Sequence, residues 1–212
     1  MRTGIIFDLD GTLWDSSIPV VESWNHVLRD CEDVDYLITR EDMLAEMGKT
    51  MDQIMEDLFP AITVTRRQEL LKRCCEEEEK WLEKKGAVLF PELEETLKIL
   101  YRSFDLFIVS NCQSGYIETF LKVNRLGQYI KDVECWGNTE KRKGENIKLV
   151  IERNRLEKAV YVGDTNGDKE AAEAAGIPFI YAEYGFGEVE NYKYSIQSLN
   201  ELPERLKDVL IN

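Results

Sequence analysis

Gly4-Ile5-Ile6-Phe7-Asp8-Leu9-Asp10-Gly11-Thr12 runs from β-forming apolar residues straight into two acids one residue apart and a turn glycine. In an open parallel sheet, ligands collect just beyond the carboxyl ends of the strands. Asp8 and Asp10 therefore stand where chemistry would be placed. Two carboxylates that close repel each other unless a cation or a shared proton relieves them. By itself the pair does not separate an active site from an Asx-turn that merely ends a strand.

Working outward, further apolar runs at 106–110, 133–136, 159–163 and 179–182 read as strands. Most are near-continuous, as parallel strands covered on both faces should be. Helical patterns at 115–123, 144–154 and 168–175 separate these four, and another at 92–102 follows Pro91. The alternation predicts an α/β fold, a Rossmann-like doubly wound parallel sheet. Ser198-x-x-Glu201 reads as a capping box for a last helix carrying Leu202, Leu206 and Val209.

From Ser16 to Gly86 only helical patterns occur. Val20, Trp24, Val27, Leu28 and Cys31 form one apolar stripe. Thr50-x-x-Gln53 and Thr65-x-x-Gln68 read as capping boxes of two more helices. Leu70, Leu71, Cys74, Cys75, Trp81 and Leu82 line the longest, and the run of glutamates at 76–79 reads as its solvated face. The segmentation gives an α/β core of residues 1–15 and 87–212 and an all-helical domain of residues 16–86 inserted after the first strand.

The 212 residues carry 41 acids against 27 bases, a net charge of −14. That balance argues against a nucleic-acid partner, since phosphate-backbone binding needs a basic surface. No run of about 18 apolar residues exists and no signal-peptide pattern precedes the first strand, so no membrane association and a cytoplasmic location are expected. The five cysteines, Cys31, Cys74, Cys75, Cys112 and Cys135, show no Cys-x-x-Cys spacing and read as reduced, mostly buried thiols. His26, the single histidine, cannot build a histidine metal cluster. A monomer or weak homodimer is expected.

Four motifs in chain order resemble those of the haloacid dehalogenase-like superfamily, over essentially the whole chain. Asp8-Leu9-Asp10-Gly11-Thr12 resembles the first and Ile108-Val109-Ser110-Asn111 the second. Lys143 of Lys143-Gly144-Glu145-Asn146-Ile147 resembles the third. Val162-Gly163-Asp164-Thr165-Asn166-Gly167-Asp168 resembles the fourth. The resemblance implies phosphoryl transfer to a carboxylate, with Asp8 as nucleophile and Asp10 as general acid–base. It makes Ser110, Asn111 and Lys143 the phosphate-binding residues. Asp8, the main-chain carbonyl of Asp10, and Asp164 would hold Mg²⁺, an all-oxygen set suited to that ion. Asp168 would be outer-shell, orienting Lys143 or a metal water. The helical insertion resembles the superfamily's first-type cap, which closes over the site and selects substrates.

Departures within the superfamily narrow the reaction. Haloacid dehalogenases lack the second acid of the first motif, which Asp10 supplies here. Mutases of the β-phosphoglucomutase type carry a cap histidine about a dozen residues after the nucleophile, where this chain has Val20. A calcium loop beginning at Asp164 fails, because its sixth and twelfth positions are Lys169 and Ala175. The leading expectation is a phosphoglycolate phosphatase-like enzyme acting on a small phosphorylated metabolite, with cap residues around Met47-Gly48-Lys49-Thr50 facing the substrate. The alternatives are a β-phosphoglucomutase-like phosphotransferase and a non-catalytic phospho-ligand-binding protein on the same fold.

Overall fold

The computed structural model describes residues 2–210. In chain order the first elements are β1 (Thr3–Phe7), β2 (Trp14–Asp15), α1 (Ser17–Leu28), α2 (Arg40–Glu46), α3 (Met51–Leu58) and α4 (Val64–Lys85). Then come β3 (Val88–Leu89), α5 (Leu93–Tyr101), β4 (Asp105–Ser110), α6 (Tyr116–Asn124), β5 (Ile130–Cys135) and α7 (Trp136–Thr139). The chain continues through α8 (Lys143–Asn154), β6 (Lys158–Gly163), α9 (Asn166–Ala175), β7 (Phe179–Ala182), β8 (Tyr194–Ile196) and α10 (Leu202–Leu210).

Six strands form one sheet in the order β5-β4-β1-β6-β7-β8, every neighbouring pair parallel. The central position of β1 explains its composition: Ile5, Ile6 and Phe7 are fully buried between helices on both faces. Register then delivers the site. Phe7 lies opposite Ile108 on one side and Val162 on the other. The residues just beyond these three, Asp8, Ser110 and Asp164, consequently emerge along one edge of the sheet.

Four local expectations differ from the structure. The sixth strand, β8, is too short for its alternation to stand out. Strand β5 starts at Ile130, ahead of the apolar run, because it is the sheet's edge and its first residues are incompletely buried; Trp136 already belongs to α7. Helix α4 is capped by Thr63, whose side chain accepts from the Arg66 N–H, so Thr65 lies inside the helix. A 3₁₀ turn at Leu199–Glu201 precedes α10, and Glu201 accepts the Gln197 N–H instead of closing a capping box on Ser198.

Helices α1–α4 surround a core of their own, with Trp24, Met43, Met55, Leu70 and Cys74 at its centre. The chain passes into and out of this layer through β2 and β3, which pair antiparallel with Trp14 opposite Leu89 and Asp15 opposite Val88. His26 is exposed, its ring against Trp81. All five cysteines are free thiols, and only Cys75 is less than fully buried. No helix among the described residues is long and apolar enough to cross a membrane.

Candidate active site

Gly11 makes the turn after β1 possible. It adopts φ +82°, and a Cβ there would lie 2.2 Å from an Asp164 carboxylate oxygen. Only glycine provides both the left-handed backbone and the clearance. Asp8, at 2% exposure, accepts a hydrogen bond from Lys143 Nζ at 2.9 Å, and the same ammonium donates to Asp168 Oδ1 at 2.6 Å. Lys143 opens α8, so the helix start and the ends of β1 and β6 converge on one charge cluster.

Asp168 is filled by donors. Besides Lys143, its Oδ1 faces the Tyr161 hydroxyl at 3.4 Å, while Oδ2 accepts from the Asp164 and Thr165 amides and from Thr165 Oγ1 at 2.7 Å. Asp164 Oδ2 accepts the Phe186 amide at 2.8 Å, and Thr12 Oγ1 reaches its other oxygen at 3.4 Å. The glycines at 185 and 187 thus sit in a loop that braces Asp164. Gly185 packs so tightly that a Cβ would meet the Asp164 Cβ at 2.2 Å.

Asp10 occupies a separate niche. Its Oδ1 accepts from Trp14 Nε1 at 2.8 Å, from the Tyr116 hydroxyl at 2.9 Å and from Ser16 Oγ. Trp14 is held edge-on against Tyr116 and Phe120, with centroids 5.7 and 4.9 Å apart. The three donors all reach Oδ1 and leave the second Asp10 oxygen for other partners.

Burial dominates the electrostatics. It raises the Asp8 carboxyl well above its ordinary range, with Asp168 adding repulsion, and pushes Asp164 up to about 7 for the same two reasons. Asp10 is also raised by burial, against the pull of Ser16, Tyr116 and Trp14. For Lys143 burial acts the other way, but Asp168 and Asp8 outweigh it and hold the ammonium charged. Carboxylate oxygens of Asp8, Asp164 and Asp168 lie within 4.8 Å of one another. Against these three acids stands one ammonium, and an oxygen-only, negatively charged donor set of this kind fits a hard divalent cation such as Mg²⁺.

Two expectations change in detail. The carboxylate trio contains Asp168, expected in the outer shell, and not the Asp10 side chain. Asn111, expected to bind phosphate, directs its side chain elsewhere: Nδ2 donates to the Gly48 carbonyl of the cap at 2.8 Å, which ties cap to core. Gly48, at φ +86°, sits against Thr165, and a Cβ would come within 3.2 Å of it. Ser110 closes β4 and, with Asp8 and Asp10, lines a cavity of about 50 Å³ beneath the cap.

A profile of the haloacid dehalogenase-like hydrolases matches residues 5–182. The chain belongs to that family. It is an enzyme of the hydrolase class. It is 27% identical over 210 residues to the phosphoglycolate phosphatase of Salmonella typhimurium, covering 86% of this chain and 82% of that one. To the phosphoglycolate phosphatase of Escherichia coli K12 it is 25% identical over 232 residues, covering 94% and 90%. In fold it matches a haloacid dehalogenase-like family hydrolase of Streptococcus pneumoniae with a TM-score of 0.80 at 21% identity, over 97% of this chain and 98% of that one. CbbY of Rhodobacter sphaeroides, solved with phosphate, matches with a TM-score of 0.80 at 17% identity over 95% and 96%.

One residue of this haloacid dehalogenase-like hydrolase departs sharply from its sequence reading. Glu78, expected on a solvated face, is 2% exposed and lines the cavity. Its oxygens accept from Trp24 Nε1 at 2.5 Å and from Gln113 Nε2 at 2.7 Å. The signal was present in spacing: Leu70, Cys74, Glu78 and Leu82, the buried residues of α4, recur every fourth position. Burial, with Asp10 across the cavity, raises Glu78 from its ordinary 4.5 to about 7. The folded protein therefore keeps a proton that the unfolded chain releases, and stability from this group is lost as pH rises from 4.5 through 7. Glutamine has no proton to lose, and the Gln113 amide can turn over to face it. Glu78→Gln is expected to gain up to about 3 kcal/mol over the wild type at pH 8, and clearly less at pH 5. Urea midpoints at the two pH values measure this, and a gain independent of pH would contradict the burial of an ionising carboxyl.

Proposed function

We propose that this hydrolase is a phosphatase that cleaves the phosphate monoester of a small metabolite, with Mg²⁺, through an aspartyl phosphate formed on Asp8. The observation that carries the reading is the buried Lys143 ammonium bridging Asp8 and Asp168 under a cavity roofed by cap residues. A fixed positive charge beside a carboxylate that lines the cavity supports the reading. The phosphoglycolate phosphatases among the relatives supply the substrate class by analogy.

The chain's own residues divide the work. An Asp8 oxygen attacks phosphorus as the bond from phosphorus to the alcohol oxygen breaks, and the Asp10 carboxyl gives that oxygen its proton. A water then attacks phosphorus, passes its proton back to Asp10 and releases inorganic phosphate, which frees Asp8. The three donors on Asp10 fix the direction from which it delivers the proton. Ser110 binds a phosphoryl oxygen through its hydroxyl, and Asn111 can add its main-chain N–H while its side-chain amide donates to the Gly48 carbonyl. Lys143 holds Asp8 in place and offsets charge in the cluster, and Asp168 orients Lys143. A Mg²⁺ held by Asp8, the Asp10 carbonyl and Asp164 would supply further positive charge to the phosphoryl oxygens. The cap, residues 16–86, excludes water while the first step proceeds.

Phosphate release from a panel of esters tests the reaction. Activity is expected to vanish in EDTA, to return with Mg²⁺ and to be inhibited by Ca²⁺, whose looser coordination misplaces the nucleophile. Full turnover in chelator would remove the metal from the reading.

A further inference from the structure

The cavity beneath the cap has a charge pattern that bears on the alcohol half of the ester. Four side chains that carry formal charge line it: Asp8 and Asp10 on the core side, Glu78 and Lys49 on the cap side. Lys49 is already committed, its Nζ donating to Glu46 at 2.8 Å and to Asp57 at 2.7 Å. Glu78 has no cation. Its two hydrogen-bond donors, Trp24 and Gln113, are neutral, and it forms no ion pair among the described residues. When ionised, Glu78 is a buried carboxylate without a cationic partner, a costly state that a bound cation would relieve. A second acceptor lines the cavity from the core side: Asn111 Oδ1 is buried with no hydrogen-bond partner, while Nδ2 of that amide donates to the Gly48 carbonyl. The remaining cap wall is apolar, formed by Val20, Met43, Met47, Met51 and Ile54.

We infer that the ester carries a positively charged amine on a short aliphatic alcohol, seated against Glu78, and that a carboxylate-bearing ester is disfavoured. The inference rests on the phosphatase reading above and specifies its substrate. A primary ammonium supplies three N–H donors, enough for Glu78 and Asn111 Oδ1 together. It also gives Glu78 the counter-charge that Trp24 and Gln113 cannot. A hydroxyl could make the hydrogen bonds but would leave the carboxylate uncompensated. A carboxylate would set a second anion against Glu78, with Lys49 already held by two acids. The apolar wall suits the short methylene chain between amine and phosphate. In this respect the chain departs from the substrate named for its phosphoglycolate phosphatase relatives.

Steady-state kinetics with 2-aminoethyl phosphate, ethyl phosphate, 2-phosphoglycolate and p-nitrophenyl phosphate test this directly, in wild type and in Glu78→Gln. Wild-type kcat/KM should favour the aminoethyl ester over the ethyl ester by at least about tenfold, with phosphoglycolate below both. In Glu78→Gln the ratio of aminoethyl to ethyl ester should fall by at least about tenfold, and the ratio of phosphoglycolate to ethyl ester should rise. A merely structural role for Glu78 would lower every ester together and leave both ratios where they were, which overturns the inference. Wild-type preference for phosphoglycolate over the aminoethyl ester overturns it as well, even if the variant fails to fold. Hydrolysis of p-nitrophenyl phosphate alongside that preference would leave the phosphatase reading standing. Hydrolysis of none of the four would remove both.

Discussion

Asp8→Asn is expected to lower kcat for every phosphate ester by roughly 10⁴-fold or more, the scale of nucleophile loss in other hydrolases. Asparagine keeps the shape of the side chain and its place between Lys143 and the cavity, but its amide cannot form the acyl phosphate. Stability should move the other way. Burial and Asp168 raise the Asp8 carboxyl well above its ordinary 3.8, so keeping it ionised costs the folded state stability that the unfolded chain does not lose. Stability from such a group is present below pH 3.8 and is lost as pH rises through the folded value. The asparagine variant escapes that loss, while Lys143 keeps its hydrogen bond to Asp168. In chelator at neutral pH the variant should unfold at a higher urea concentration than the wild type. Phosphate-release assays and urea melts on one preparation give both readings. Wild-type turnover by Asp8→Asn would end the aspartyl-phosphate mechanism.

Opposite movements of activity and stability have a structural origin in how the cluster is assembled. The groups legible in the sequence are those whose position is fixed by a strand end. Asp8 follows β1, Ser110 closes β4 and Asp164 follows β6, and parallel register brings all three to one edge whatever the loops do. Lys143 and Asp168 were legible only through motif context, since neither a lysine in a basic run nor an acid in a first helical turn announces burial. The partners that hold these groups were not legible at all. Trp14 and Tyr116 converge on Asp10 from a short link and a helix start, 106 residues apart for the second pair. Phe186 reaches Asp164 from the loop after β7, a glycine-rich stretch that composition alone reads as a turn. Glu78 failed for another reason. A run of four glutamates hides the phase of its helix, and only the four-residue recurrence with Cys74 and Leu82 picks one of them out. In the fold, the missed strand β8 has three residues and gains its identity from pairing with β7 rather than from its own pattern.

The largest loss of stability is expected at Lys143. Its side chain is 5% exposed and bonds Asp8 and Asp168, with Asp164 in the same cluster. Lys143→Met preserves most of the volume, so the change isolates charge from packing. Three buried carboxylates then face one another without a cation, and removing one partner of a buried ion pair costs about 3–5 kcal/mol. In EDTA the urea midpoint should fall by the corresponding amount. Adding Asp168→Asn to Lys143→Met should recover much of that loss, because the destabilisation lies in the uncompensated charge and not in missing contacts. Mg²⁺ should recover part of it too, in protein that remains inactive toward all esters alike. The uniformity separates this residue from Glu78, whose substitution changes the ranking of substrates. A Lys143→Met protein as stable as the wild type in chelator would mean that the three carboxyls share protons instead of charge. The ammonium would then be dispensable to the fold and needed only when phosphate is bound.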